Sequence, residues 1–421
     1  MIASSSRHPL LLLGLPLCLL LALASGCSGP SFEDQILALA TPTGALASVD
    51  PQLPPLIKAV EQQRGLPLQL AGPTLESSDS NAAVSLTTIG APRQRVELLT
   101  ATATLLDPAT EPLAREAFVK AYGPLVEQAA AAVDRPRCRF SVGHQFGFFA
   151  TMSYLDDAAL GVRLLLVRAL DAGDKKETAA ALADVLRALR LSHWLADVRR
   201  VEARVQAATL RAESLAVAAE LLEAGVLRHY EAEQIYAALR DHVTDWPTDE
   251  RMLLGERATI IHAYEAIRAG MLSRLVTLYE RKQLQSTGRM DNLDNATPAE
   301  IDADEARYLR AMQRLINAAA APYPERLESI AAAMDEINSV PTLFAATLFT
   351  EDLPSAIRTA AEDRGHVEAW AIALALAADL KPPPYRVSPV TGEPYQVERE
   401  ANSVTVSHGE APPVSLGVLL K

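Results

Sequence analysis

The stretch from Leu164 to Leu191 reads LLLVRALDAGDKKETAAALADVLRALRL, and it decides the fold. Its first part is an apolar helical run that stops at Gly173, where a left-handed C-cap is expected. Asp174-Lys175-Lys176-Glu177 resembles a capping box that opens a second helix. Leu182, Val185, Leu186, Leu189 and Trp194 fall on one face of that helix. Helix, Gly-Asp turn and helix make an antiparallel αα-hairpin. Its small-residue turn and alanine spacing resemble a tetratricopeptide hairpin, but no clean repetition follows, so irregular consecutive hairpins are expected.

Helical signals continue on both sides. Upstream, Glu111–Val133 is an Ala-rich helix ended by Arg135-Pro136, with a loop near Gly143–Gly147 after it. Downstream, Val198–Ala224 carries a stripe of Val198, Val201, Val205 and Ala208 and ends at Gly225. Ala232–Val243 follows, then a helix from Asp245-Trp246-Pro247 to about Lys282, and a polar loop over Gln285–Asn295. Thr297-Pro298-Ala299-Glu300 combines N-cap, first-turn proline and third-position glutamate, a strong start signal. Helices are expected on to Ala320, over Pro324–Asn338 and over Leu343–Asp363. Residues Gly72 to Leu106 stay ambiguous: Val84–Thr88 alternates weakly like a strand, and Arg95–Leu105 suits strand or helix.

The end of the chain changes character. Trp370–Leu380 reads as an apolar helix stopped by Lys381–Pro384. Tyr385–Val387, Tyr395–Val397 and Val404–Val406 read as short strands, with Thr391–Pro394 as a turn. So short a hairpin or meander needs the preceding helix for its stability. The expected fold class is mostly α, with antiparallel, irregular tetratricopeptide-like hairpins and a small C-terminal β hairpin or meander. The expected division is 1–26, 27–106, 107–345 (helical hairpins) and 346–421 (C-terminal helix and β region).

Residues 1–26 read as a signal peptide, with Arg7 and His8 before an apolar Leu10–Leu23 broken by Gly14 and Pro16. Ala24-Ser25-Gly26-Cys27 resembles the lipobox of bacterial lipoproteins. That resemblance implies lipidation of Cys27, the first mature residue, and Ser28 after it implies the outer membrane, facing the periplasm. Ser28 to Pro55 is expected to be a tether with one helical piece near Phe32–Ala40, followed by a helix over Leu56–Arg64. Of three cysteines, Cys18 leaves with the signal and Cys27 takes lipid, so Cys138 has no intramolecular partner. The fold must stand on its core.

The 421 residues carry 39 basic and 52 acidic side chains, a net charge of −13. That balance argues against nucleic acid or anionic headgroups as partners. Aromatics make up 5% of the chain while Ala and Leu are abundant, which favours packed helices over a large sheet.

Candidate chemistry is sparse. Cys138 stands between Arg137 and Arg139, and cationic neighbours lower a thiol pKa; His144 follows six residues on as a conceivable base. A small buried thiol is the plainer reading. Glu256 and Arg257 follow Gly255 inside an expected helix, where glycine admits a neighbouring backbone and the two charges suit a structural ion pair. His262 and Glu265 share a helix face, and His193-Trp194 could line a pocket, yet His193, His229, His242, His262 and His366 are scattered singly. No zinc or calcium spacing occurs, and Asp291–Asn295 lacks the glycine and terminal glutamate of a calcium loop. No phosphate loop, G-x-S-x-G or S-x-x-K is present, so neither cofactor nor metal is expected.

Arg137-Cys138-Arg139-Phe140, then Gly255-Glu256-Arg257, then Thr391-Gly392-Glu393-Pro394-Tyr395 occur in that order. Together they resemble a family of exported helical proteins common in planctomycete-like bacteria, a likeness that implies architecture and no reaction. The C-terminal part is also similar to the last half of type II secretion pseudopilins, although their N-terminal methylated helix is replaced here by the lipobox. The functional expectation is a lipid-anchored, non-catalytic scaffold or adaptor with an envelope protein as partner. An envelope enzyme or ligand-binding protein with an interhelical pocket, and an accessory part of a secretion or pilus-like system, are the alternatives.

Overall fold

The computed structural model describes residues 30–39, 80–339, 343–409 and 412–419. Cys27, Ser28 and the helix expected over Leu56–Arg64 lie outside the described residues. Among the described residues the chain forms fifteen α-helices and one three-stranded antiparallel sheet, so the mostly-α class with a C-terminal meander holds. No described helix is long and apolar enough to cross a membrane.

Two apolar cores organise these helices. The first gathers α2 (Ala82–Leu86), α3 (Pro92–Leu105), α4 (Pro112–Val133), α5 (Ser153–Asp174), α6 (Thr178–Ala196), α7 (Val201–Glu223) and α8 (His229–Thr244). The second gathers α9 (Asp249–Arg268), α10 (Leu272–Leu275), α11 (Leu278–Ser286), α12 (Arg289–Asp294), α13 (Pro298–Ala318) and α14 (Tyr323–Asn338). The last helix, α15 (Leu353–Ala377), belongs to both: Leu353 and Ile357 enter the second core, while Trp370, Ile372 and Leu374 enter the first. An early helix, α1 (Phe32–Leu39), packs Leu39 against the second core and buries Ile36. Each fully buried Leu or Val contributes roughly 1.5–3 kcal/mol.

The hairpin of Leu164–Leu191 forms as α5 and α6, but its turn differs from expectation. Gly173 stays helical, and a Cβ there would lie 2.3 Å from a Leu221 methyl, so the glycine serves close packing against α7. The left-handed residue is Lys176, at φ 61°. Glu177 N–H donates to the Ala172 carbonyl at 2.8 Å, and no side chain caps α6, so no capping box forms. Arg168 bridges the hairpin by two hydrogen bonds to Asp184, at 2.6 and 2.8 Å.

Within the ambiguous stretch, the described residues from Ser80 on form two helices, α2 and α3. Asn81 accepts from Ala83 N–H at 3.2 Å and so starts α2 where a weak strand was conceivable. Helix α9 ends at Arg268 because Gly270, at φ 77°, turns the chain out of the helix expected to reach Lys282. The expected polar loop over Gln285–Asn295 holds the end of α11 and all of α12, which bury Leu284, Met290 and Leu293. At Thr297 the expected capping box is present: Glu300 N–H donates to the Thr297 hydroxyl at 3.3 Å, and Thr297 N–H donates to the Glu300 carboxylate at 2.8 Å.

After α14, the Asp304 carboxylate on α13 accepts the N–H groups of Leu343, Phe344 and Ala345 at 2.9–3.1 Å, together with the Tyr264 hydroxyl at 2.8 Å. This draws the chain into a π-helical turn, Ala345–Phe349, and not the regular helix expected over Leu343–Asp363. Helix α15 then runs unbroken through the separate helix expected at Trp370–Leu380.

In the sheet, β2 (Ser403–Ser407) lies between β1 (Gln396–Arg399) and β3 (Val414–Gly417). Val404 and Val406 of β2, with Val414 and Leu416 of β3, enter the first core against α15, as the period of two requires. Tyr385–Val387 forms no strand; Val387 makes one antiparallel bridge to Pro394 that closes the Thr391–Pro394 turn.

Candidate functional site

A cleft of about 470 Å³ opens where the two cores meet, within the size range of ligand pockets. Four segments build it. The α8–α9 connection supplies Trp246 to Glu250, the α13–α14 turn supplies Ala319 to Pro322, α15 supplies Ala360, Ala361, Arg364 and Glu368, and the turn before the sheet supplies Val387 to Pro389. Thr248 caps α9 by accepting from Arg251 N–H at 3.4 Å, which holds Asp249 at the helix start on the cleft wall. Tyr323 N–H donates to the Pro389 carbonyl at 3.0 Å, fixing the last turn to α14.

The two buried carboxylates of the cleft, Asp249 and Glu368, are already engaged. Asp249 receives Arg204 at 2.9 Å on one oxygen and Arg326 at 2.6 Å on the other. Glu368 receives Arg364 at 2.9 Å and the Tyr395 hydroxyl at 2.7 Å. Behind the wall, the Arg204 and Arg211 guanidiniums lie 5.7 and 4.7 Å from the centre of the Trp246 ring, a cation–π arrangement. Both arginines are at most 1% exposed, and Arg211 is paired with Asp363 of α15. Burial lowers the pKa of Arg204 despite Asp249. The face left for a ligand is the half-buried Trp246, prolines, alanines, a valine and a few polar side chains. Such a surface suits binding an extended segment, with no nucleophile set beside a free base.

The side chains singled out in the sequence do not converge on this cleft. Arg137-Cys138-Arg139 is an extended segment stitched to Asn81, whose amide donates to the Arg139 carbonyl at 3.0 Å and accepts from Arg139 N–H at 2.8 Å. Cys138 packs against the first core, and burial pushes its thiol up to about 12, with only partial offset by a backbone hydrogen bond from Ala83. Burial therefore outweighs the cationic neighbours at this thiol, the balance that the plainer reading of the sequence assumes. The His144 side chain lies outside the described residues.

Glu256 and Arg257 serve different neighbours. Arg257 donates to Gln313 of α13 at 2.6 Å. Glu256 turns to the start of α7, beside Arg200, Glu202 and Tyr154. Burial raises its carboxyl to about 7, opposed by Arg200 and reinforced by Glu202, and its Oε2 has no hydrogen-bond partner. The Tyr154 hydroxyl is also buried without a partner. Arg200 itself grips Glu202 through two bonds at 3.0 and 3.2 Å and donates to Thr259 at 3.0 Å. Gly255 admits the backbone as expected: a Cβ there would fall 2.0 Å from the Arg199 carbonyl oxygen.

The histidines divide into local arrangements. His262 faces Phe148 N–H and the Ile36 carbonyl, each at 3.4 Å, and Glu265 is bonded to Arg268, so these two do not act as a ligand pair. His193 stacks on His242 at 4.3 Å behind Trp246; burial, then Arg211, lowers His193 to about 3. Among the described residues no three His, Cys, Asp or Glu side chains converge as metal ligands.

Sequence reasoning missed Arg204, Arg211, Asp249, Asp363 and Arg326. The expected stripe Val198, Val201, Val205 and Ala208 is not the buried face of α7, which runs through Ala203, Arg204, Ala207, Leu210, Arg211 and Ser214. Arg204 and Arg211 stand seven apart on one helix face amid small residues, and that spacing was the available signal. No protein-family profile, curated protein or solved structure matches the chain.

Proposed function

We propose that the protein is a lipid-anchored envelope adaptor that holds an extended segment of a partner protein in the cleft between its two cores. The observation that carries this reading is the composition of the cleft wall: its two buried carboxylates are saturated by Arg204, Arg326, Arg364 and Tyr395, while Trp246 and a row of small and proline residues stay available. Aromatic and apolar groups with a few placed polar groups are what peptide-binding grooves offer. Lipidation at Cys27 would hold this surface at the membrane, on the periplasmic side of the outer membrane.

A photo-crosslinking residue in place of Ala320, at the cleft, and one in place of Leu113, an exposed position on α4, test the reading in intact cells. The expected result is one envelope protein crosslinked through position 320 and absent from position 113. Equal products from both positions, or none from 320, would overturn it.

The second reading is an envelope enzyme. Its support is Glu256, a carboxyl at about 7 beside the unpartnered Tyr154 hydroxyl, which has the proton affinity of a general acid or base at neutral pH.

A further inference from the structure

Helix α1 starts five residues after Cys27, and it is seated on the body of the protein. Ile36 is 3% exposed and the Phe32 ring packs edge-on to Phe149 at 5.7 Å. The Arg274 guanidinium of α10 covers Phe32 at 5.1 Å. Five peptide units reach at most about 18 Å. A lipid on Cys27 would therefore hold this particular face of the second core within that distance of its acyl chains.

The chain that continues from Arg274 carries exposed apolar side chains. Leu278 and Tyr279, at the start of α11 and joined to α10 through the extended Val276 and Thr277, are 82% and 75% exposed, the highest values among the exposed large hydrophobic side chains of the described residues. Phe32 and Leu37 of α1 are 44% and 39% exposed. Helix α11 buries only Leu284, and Arg281 and Lys282 follow the apolar pair. An aromatic, a leucine and long cationic side chains suit the boundary between headgroups and acyl chains, where charged ends reach back to water.

We infer that the α1–α10–α11 face rests on the lipid leaflet, with Leu278 and Tyr279 entering its boundary region. The inference depends on lipidation at Cys27, as proposed above. It changes the role of the segment after the anchor: the body lies against the membrane in a fixed orientation and does not hang from a long spacer. The overall charge of −13 is repelled by anionic headgroups, which favours a zwitterionic leaflet.

The test uses the full lipidated protein in phosphatidylcholine vesicles, with an environment-sensitive fluorophore on Leu278→Cys or, as a control, on Leu113→Cys; intact mass reports the acyl chains. Expected are a blue-shifted emission and loss of most intensity to a lipid-borne quencher at position 278, with neither change at 113. A water-like spectrum at 278 in acylated, vesicle-bound protein would overturn the orientation and leave the anchor standing. Absence of acyl chains by mass would overturn both. Tyr279→Cys, read in the same way, guards against a variant-specific disturbance at 278.

Discussion

The Trp370 indole N–H donates to His366 Nε2 at 3.1 Å, and this one bond orders a chain of two imidazoles. With Nε2 accepting, the neutral ring must carry its proton on Nδ1, which faces His408 Nε2 at 3.3 Å. His366 sits on α15 and His408 just after β2, so the neutral tautomers join helix to sheet. Burial, then His408, lowers His366 to about 4, with Asp363 opposing; burial also lowers His408.

Acid should therefore loosen the protein well above the carboxylate range. An imidazole that resists protonation when folded leaves the unfolded chain binding the extra proton. Stability is complete above about pH 6.5, falls as the pH drops towards 4, and levels off below that for His366. The shift amounts to about 3 kcal/mol for this residue. Urea midpoints between pH 7.5 and 4 should decrease steadily, and His366→Gln, which does not titrate, should flatten the slope. An unaltered slope would refute the account. His193 and His242, at about 3 and about 2, extend the same fall further into acid.

The Arg211–Asp363 pair should be costly to break and cheap to replace. Arg211→Met leaves Asp363 buried beside α7 without its partner, a loss of about 3–5 kcal/mol. Arg211→Met with Asp363→Leu should recover most of that, because an apolar pair avoids the desolvation of two charges. Chemical denaturation of the three proteins decides it; a double variant as weak as the single one would contradict the prediction.

Gly255→Ala should destabilise by about 1–3 kcal/mol, since the new methyl meets the Arg199 carbonyl and α9 must move away from the chain entering α7. The Glu256 carboxyl would move with it. A thermal melt within 1 °C of the parent protein would show that the junction relaxes freely.

Cys138 should resist thiol reagents at pH 8 in the folded protein and react promptly in urea, because burial pushes its thiol to about 12. Labelling followed by intact mass gives the answer directly. Rapid modification of the native protein would mean that the Asn81–Arg139 stitching opens readily.

The parts of this fold legible in the sequence are those whose cause is local. The capping box at Thr297 and Glu300 acts within one turn, and the α5–α6 hairpin follows from two adjacent apolar runs around a short turn. Where a distant residue decides, sequence reading went astray. Asp304 bends residues 343–345, nearly forty positions away, and no local pattern announces it. On α7, the burial of Arg204 and Arg211 rests on acids, Asp249 and Asp363, that lie on other helices. The cleft was illegible for the same reason, being assembled from four segments between Trp246 and Pro389. At Cys138 two influences compete, cationic neighbours and burial, and burial governs its thiol.

Helix α15 threads both cores with 25 residues and no break. Because the helix belongs to both cores, neither lets go of it alone, and hydrogen exchange along it should report a single shared lifetime. Two bodies stitched by one continuous rod melt as one, and a ligand wedged against Ala360 and Ala361 would slow the opening of each by gripping the element they have in common.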